Sequence, residues 1–160
     1  MTKIYLAGPL FTVAEQRFNA DLAKFLESRG FEVWLPQDHE PRRNTARAIF
    51  QMDVTALDAA DMVVACVDGP DPDSGTAWEC GYAYAKGKPI VCYRTDFRIS
   101  GDTEGAPYNL MLSESATARF ESPFRTKAPE FQKRMLTQIR KALRRKPATR
   151  KRIQGQVTRA

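Results

Sequence analysis

The sequence predicts an α/β fold in which helices cover both faces of a parallel sheet. Short β-prone segments alternate along the chain with segments of helical period, which is the pattern of βαβ units. The apolar run DMVVACV at 61–67 is continuous, as in strands that are buried on both faces of a parallel sheet. A length of 160 residues is enough for one domain with its own core.

The first half of the chain is predicted to form three strands and two helices. The segment 14–30 repeats apolar residues at helical spacing and stops at Gly30. The segment 45–60 has the same period, and Asn44 is the expected N-cap. The three strands are KIYLA (3–7), FEVWLP (31–36) and DMVVACV (61–67).

The second half continues the alternation. A helix is predicted at 75–87, where Gly87 ends it. The loop 94–107 is rich in glycine and charge, and loops of this length are uncommon unless they serve a function. The other predicted elements are the strand PIVCY (89–93), a short helix from about Tyr108, a fifth strand around 116–120 and a strongly amphipathic helix at 130–145.

Charge is divided unevenly along the chain. Residues 125–160 hold 13 Lys and Arg and one acid, whereas residues 1–124 hold 12 Lys and Arg and 18 acids. The net charge of +6 therefore belongs to the last helix and tail. We interpret it as a solvated helix face and a flexible tail rather than a nucleic-acid site. The expected organisation is one domain at 1–146 followed by a flexible basic tail at 147–160.

Other features restrict the class of protein. No apolar run approaches the roughly 20 residues that span a bilayer, and the N-terminus lacks the features of a secretory signal, so we expect a cytoplasmic protein without membrane contact. The three cysteines have no CxxC spacing and are expected to be buried free thiols. His39 is the single histidine and has no clustered ligands near it, so no metal or other cofactor is expected.

Polar and glycine-rich segments follow three of the predicted strands. They are Gly8, the segment 68–75, and the loop that leads to Asn109. Because ligands of open α/β sheets bind beyond the carboxyl ends of the strands, we expect these segments to converge on one crevice.

Glu79 lies near the start of an otherwise apolar helix and allows two interpretations. Thr76 and Glu79 have the spacing of a capping box, in which the acid folds back onto the helix start. Alternatively, Glu79 is a nucleophile, ionised by the positive end of the helix dipole. A second acid such as Asp73, kept protonated by its surroundings, would then serve a leaving group, as paired carboxylates do at glycosidic bonds.

The residues around Glu79 favour the second interpretation. Gly75 and Gly81 bracket the acid and leave space around it, while Trp78 and Tyr82 can form the wall of a pocket.

Four segments in order resemble the motifs of the nucleoside 2-deoxyribosyltransferases. They cover residues 3 to 112 of the chain, and the D-x-G-x-x-x-E-x-G-x-A spacing is the most specific of them. The segments are IYLAGPLF (4–11), QMDVTALDAADMVVA (51–65), DSGTAWECGYAYAKGKPI (73–90) and APYNLM (106–111).

The resemblance implies a flavodoxin-like, doubly wound five-stranded sheet and transfer of 2-deoxyribose between nucleobases. By the family pattern, Glu79 attacks C1′ of the deoxynucleoside and Tyr5 orients it. Asp53 helps to protonate the leaving base, and Asp73 binds sugar hydroxyl and assists the acid–base chemistry. Asn109 binds the 5′-hydroxyl in the site of a neighbouring subunit, which implies a homo-oligomer.

Further residues are candidates for substrate binding. Gly8 would let the base approach the backbone, and Phe11, Trp78 and Met111 are candidates for the base pocket.

Each candidate also has a structural alternative. Tyr5 can be a core residue, Asp53 a solvated helix acid, and Asp73 a helix cap. Asn109 can be an N-terminal helix residue. The aromatic and methionine residues Phe11, Trp78 and Met111 are, at element ends, often part of the core.

The chain departs from the family pattern after residue 112. Residues 113–160 do not resemble the family, and the basic residues there raise the possibility of a phosphorylated substrate. Related hydrolases of nucleoside 5′-monophosphates tend to carry serine or arginine in the turn after the first strand, where this chain offers only Thr12. We therefore favour an unphosphorylated nucleoside. The alternatives are an N-glycosidase of deoxynucleoside 5′-monophosphates and a non-catalytic nucleotide-binding module.

Overall fold

The computed structural model describes residues 1–39, 45–122 and 125–144. The strands form one all-parallel five-stranded sheet. They are β1 (Lys3–Ala7), β2 (Glu32–Trp34), β3 (Met62–Cys66), β4 (Ile90–Arg94) and β5 (Ala118–Glu121). The helices are α1 (Val13–Glu27), α2 (Ala46–Ala59), α3 (Ser74–Ala85), α4 (Leu110–Ser115) and α5 (Ala128–Arg144), with a short 3₁₀ turn at Pro36–Asp38.

The strand order is β2-β1-β3-β4-β5, which confirms the predicted doubly wound, flavodoxin-like sheet. The order reverses between β1 and β3, and such a switch point opens a crevice at the carboxyl ends of the strands. Tyr5 on β1 pairs in register with Trp34 on β2 and with Val63 on β3, so β1 lies beside this crevice.

The sheet separates two apolar cores, because successive strand residues point to opposite faces. On β1, Ile4 and Leu6 pack in one core with buried residues of α1 and α5. Tyr5 and Ala7 pack in the other core with residues of α2, α3 and α4. Side chains of β1 that point to this second core, such as Tyr5, are therefore held in place by residues of α2, α3 and α4.

The helix ends show which predictions of local structure hold. Gly30 and Gly87 have φ of 86° and 70°, and α1 and α3 end a few residues before them, as expected of glycine in the left-handed region. Asn44 lies outside the described residues; Thr45 is the N-cap of α2, and its hydroxyl accepts a hydrogen bond from Ala48 N. The predicted flexible tail at 147–160 also lies outside the described residues.

The long loop after β4 is held by buried polar contacts. The Arg94 side chain is almost wholly buried and donates to the carbonyl oxygens of Val67 and Arg98 and to Ser100 Oγ. The Asp68 carboxylate accepts hydrogen bonds from Thr95 and from the backbone of the next residue. These contacts fix the path of the loop toward α4.

The cysteines and the helices agree with two features expected from the sequence. Cys66, Cys80 and Cys92 are buried free thiols, as predicted. Over the described ranges, no helix combines the length and the apolar character needed to cross a membrane.

Candidate active site

Glu79 and Tyr5 form the centre of the candidate site. The Tyr5 side chain is fully buried on the α3 side of the sheet, and its hydroxyl donates a hydrogen bond to Glu79 Oε1 at 2.6 Å. The two residues are 74 positions apart in the sequence. Glu79 is thus oriented by the central sheet and not by its own helix.

The capping box predicted for Thr76 and Glu79 does not form. Asp73 is the N-cap of α3, and its Oδ2 accepts hydrogen bonds from Thr76 N at 2.8 Å and Thr76 Oγ1 at 3.1 Å. Because α3 begins at Ser74, Glu79 lies in its second turn. The cap alternative therefore holds for Asp73, while Glu79 is left free to face Tyr5.

Burial controls the charge of Glu79. The pKa of this carboxyl is raised to about 7, chiefly by removal from water; the negative charges of Asp53 and Asp73 contribute to the rise, while the hydrogen bond from Tyr5 opposes it. The predicted net stabilisation of the ionised form by the helix dipole is wrong, because Glu79 lies beyond the first turn, where the dipole mainly acts, and burial raises its pKa instead. Glu79 is therefore poised between its two protonation states near neutral pH.

Asp53 is a half-buried acid on α2. Burial raises the pKa of its carboxyl, and the charge of His39 opposes this shift. Its Oδ1 atom is buried and has no hydrogen-bond partner among the described residues. Asp53 is therefore not the fully solvated helix acid of the alternative interpretation, and its raised pKa favours a carboxyl that retains its proton.

The sequence analysis did not include His39, whose charge acts on Asp53, or Trp34, on which His39 stacks, among the site residues. The two rings stack with a centroid separation of 3.7 Å and an interplanar angle of 13°. Trp34 is on β2 and His39 follows the 3₁₀ turn after that strand, so both belong to the carboxyl edge of the sheet. That location was the available signal, because polar residues after a parallel strand gather at this edge.

An aromatic row lies beside Glu79 on the surface between α2 and α3. Trp78 stacks on Tyr82 with centroids 5.2 Å apart and meets Phe50 edge-on at 5.4 Å. Tyr82 donates a hydrogen bond to Asp58 Oδ1 on α2 at 2.9 Å. Trp78 and Tyr82 therefore form a surface wall, and Trp78 is about half exposed.

The turn after β1 contains Gly8 and Phe11. A Cβ atom on Gly8 would lie 3.1 Å from the Cβ of Cys66, a tight contact, so the close approach of β1 and β3 by itself favours glycine there. Phe11 is 73% exposed and is not part of the core. The carboxylate of Glu15 accepts hydrogen bonds from the backbone N–H groups of Phe11 and Thr12 at 3.0 and 2.8 Å.

Asn109 and Met111 lie apart from Glu79. They line a groove of about 620 Å³ between α3 and α4, and the helical period places Glu79 on the opposite side of α3 from the groove residues Ala77 and Gly81. Gly81 therefore does not make space for Glu79 as predicted. Two of the three segments expected to converge do meet here, because Asp71 and Ser74 line this groove together with Asn109.

Both candidates in this groove have structural contacts of their own. Asn109 is the N-cap of α4, accepting from Met111 N at 2.9 Å and donating to Asp102 Oδ2 at 3.1 Å. Met111 is 72% exposed, so it is not a core residue.

The described residues contain no group of three or more His, Cys, Asp or Glu side chains that could hold a metal ion. An oriented carboxylate, a phenol and two neighbouring acids are present at the candidate site.

The family model for nucleoside 2-deoxyribosyltransferase matches residues 4–111. A protein of Schizosaccharomyces pombe whose function is uncharacterised is 32% identical in an alignment 108 residues long that covers 60% of this chain. The chain spans only 51% of the length of that relative.

Solved structures of the same kind superpose on the chain. A 2-deoxyribosyltransferase from Bacillus psychrosaccharolyticus is 27% identical with a TM-score of 0.65, covering 76% of this chain and 87% of its own. A 2-deoxyribosyltransferase from Leishmania mexicana is 25% identical with a TM-score of 0.63, covering 82% of this chain and 95% of its own.

Proposed function

The chain belongs to the nucleoside 2-deoxyribosyltransferase family, and we propose that it transfers 2-deoxyribose from one nucleobase to another through a covalent deoxyribosyl–Glu79 intermediate, as a step of nucleoside salvage. The observation that carries the proposal is the 2.6 Å hydrogen bond from the Tyr5 hydroxyl to Glu79. A half-buried carboxylate that is held by one oxygen, with its other oxygen available, suits nucleophilic catalysis.

In the first step, Glu79 attacks C1′ of the donor nucleoside and forms an ester bond. The C1′–N bond breaks, its electron pair leaves with the base, and the base takes a proton from Asp53. The raised pKa of Asp53 supports this role, since a positioned proton donor is worth about 10²–10⁴-fold in rate.

In the second step, a ring nitrogen of the acceptor base attacks C1′. The ester C1′–O bond breaks, its electron pair returns to Glu79, and the proton displaced from the acceptor base passes to Asp53. Two displacements at one carbon retain the configuration of the sugar. Water in place of the acceptor base would give hydrolysis instead.

The remaining candidates bind the substrate. Asp73 accepts a hydrogen bond from a sugar hydroxyl while it caps α3, since the capping bonds fall on Oδ2. Gly8, Phe11 and Trp78 border the base. We propose that Asn109 and Met111 complete the site of a neighbouring subunit in a homo-oligomer, because within one chain they lie on the far side of α3.

The turn after β1 supports an unphosphorylated substrate. Backbone N–H groups at the start of a helix are a common site for phosphate, but here the Glu15 carboxylate already occupies those of Phe11 and Thr12. The Thr12 hydroxyl is also engaged, because it accepts from Glu15 N at 3.2 Å. A phosphate would meet a negative charge at this turn.

Base exchange tests the proposal directly. We expect the protein to convert deoxyinosine and free adenine to deoxyadenosine, and Glu79→Ala to abolish the conversion. Mass spectrometry of protein quenched with deoxyinosine and no acceptor should detect a deoxyribosyl adduct on the peptide that contains Glu79. Exchange that persists in Glu79→Ala would refute the mechanism.

The same assay separates the alternatives. Release of base without an acceptor, faster from the 5′-monophosphate than from the nucleoside, would identify an N-glycosidase of monophosphates. Nucleotide binding without turnover by the unmodified protein, unchanged in Glu79→Gln, would identify a binding module.

A further inference from the structure

The exposed side of α5 carries four cations in one row. Lys133, Arg140, Lys141 and Arg144 are all exposed, with Thr137 between them. In a helix of 3.6 residues per turn, these five positions fall on one side. We call this surface, formed by Lys133, Thr137, Arg140, Lys141 and Arg144, the basic face.

The opposite side of α5 is fixed in the protein core. Phe131, Met135 and Ile139 are buried against the sheet. An interfacial membrane helix inserts its apolar side into lipid, and this side of α5 is already occupied. The basic face therefore presents charge on a rigid support. Among the described residues of α5, its exposed apolar neighbour is Leu143, at 40% exposure.

No acid of the described residues forms an ion pair with these four cations. Within residues 125–160, Glu130 is the single acid. Arg140 and Arg144 are four residues apart, a spacing at which like charges destabilise a helix by about 0.2–0.5 kcal/mol. Favourable interaction with the helix dipole explains cations in the last turn, but not Lys133 nearly three turns earlier.

The positive charge continues in the sequence beyond the helix. Residues 145–160 add six Lys and Arg and no acid. Residues 1–124 carry more acids than bases, so the basic face and this segment concentrate the positive charge at one end of the chain. A polyanion is the partner that such a distribution complements.

We propose that the basic face binds the phosphate backbone of double-stranded nucleic acid without reading its sequence. The row from Lys133 to Arg144 is about 16 Å long, which matches about five phosphates of one strand along the duplex axis. Lys and Arg contacts to phosphate fix position but carry no sequence information. The alignment of all four cations on one face, with no acid of the described residues paired to them, is what separates this surface from the solvated helix expected from charge counts alone.

This binding is independent of the proposed catalytic function. α5 packs on the face of the sheet opposite Tyr5 and α3, so a duplex on the basic face leaves the candidate active site open.

Fluorescence anisotropy of the whole chain with a fluorescein-labelled 20-base-pair DNA duplex tests the proposal. We expect binding at 50 mM salt whose log–log salt slope is about −4 if only the helix cations contribute, and as steep as about −9 if residues 145–160 also contribute. Replacing Arg140 and Lys141 together by Gln should weaken binding about 10-fold at 100 mM salt and make the slope shallower by about 2.

The matched control replaces Arg17 and Lys24, two exposed cations of α1, by Gln. It removes the same charge elsewhere and should change the affinity less than about 2-fold. Circular dichroism checks that both variants are folded, and Glu79→Gln should bind the duplex as well as the unmodified protein does. The proposal fails if the unmodified protein does not bind the duplex at 50 mM salt, if both double variants lose affinity equally, or if the protein binds anionic phosphatidylserine vesicles and not the duplex.

Discussion

The protonation of Glu79 connects the structure to a measurable pH dependence. In the proposed mechanism, attack on C1′ requires the ionised carboxylate, and the pKa of Glu79 is raised to about 7 in the folded protein. We therefore expect kcat/KM for base exchange to fall as the pH is lowered through about 7. If kcat/KM instead falls around pH 4.5, the ordinary pKa of a glutamate side chain, the burial of Glu79 does not raise its pKa as described.

Tyr5→Phe should move this fall in kcat/KM to higher pH. The phenol hydrogen bond lowers the pKa of Glu79, so its removal raises the pKa further and the active form appears only at higher pH. Loss of orientation should also reduce kcat/KM roughly 10–100-fold at the pH optimum. Asp73→Asn should shift the pH dependence in the opposite direction, to lower pH, because removal of a nearby negative charge lowers the pKa of Glu79.

Glu79→Gln should increase stability while it removes activity. A carboxyl whose pKa is raised on folding holds its proton more tightly in the folded state, so the free energy of unfolding falls as pH rises from about 4.5 to 7. Glutamine cannot ionise, so the variant should gain about 1–3 kcal/mol at pH 8 and almost nothing at pH 4.

Urea denaturation at the two pH values measures that difference. Glu27→Gln at the end of α1, where the side chain is exposed, is the matched control and should change stability little at either pH. If Glu79→Gln is no more stable than the unmodified protein at pH 8, ionisation of Glu79 does not destabilise the folded state and the prediction is wrong.

At the scale of single elements, the sequence predicted which segments form strands and helices but not how their ends are made. The apolar run at 61–67 and the alternation of elements were enough to predict β3 and its neighbours. The start of α3 was not, because Asp73, Ser74 and Thr76 are all acceptable N-caps. Since α3 begins at Ser74, Glu79 leaves the first turn and its electrostatics change.

The Tyr5–Glu79 contact was accessible only through the resemblance to the family. No local pattern links residues 74 positions apart. The position of Asn109 across α3 from Glu79 depends in the same way on tertiary packing. The location of His39 after β2, by contrast, was deducible from the rule that ligands gather at the carboxyl ends of parallel strands.

Asp73 illustrates how one side chain can serve an element and a site. Asp73→Ala removes the α3 cap and should cost about 1 kcal/mol of stability, whereas Asp73→Asn retains the cap and should cost little. If Asp73 also binds the sugar, both variants should lose activity, and the Asn variant should do so without loss of stability. Thermal unfolding measured beside base-exchange kinetics separates the two roles.

At the scale of the whole molecule, the groove between α3 and α4 raises the question of assembly. If Asn109 completes a neighbouring site, a mixture of Glu79→Ala and Asn109→Ala subunits should regain activity that neither variant has alone. Random pairing in dimers would restore about a quarter of the sites. The two variants are unfolded, mixed and refolded together, and base-exchange activity is then measured. Each variant refolded alone is the control. Continued inactivity of the mixture would place Asn109 in the site of its own chain.

The two tryptophans of the sequence both belong to the side of the sheet that holds the candidate site. Trp34 stacks on His39 near Asp53, and Trp78 precedes Glu79 in the aromatic row with Tyr82 and Phe50. The protein thus has an intrinsic optical reporter confined to one half of its structure. Emission excited at the red edge of indole absorption would register arrival of a nucleobase without any label, while events at α1 and α5, which lack this chromophore, would leave it unchanged.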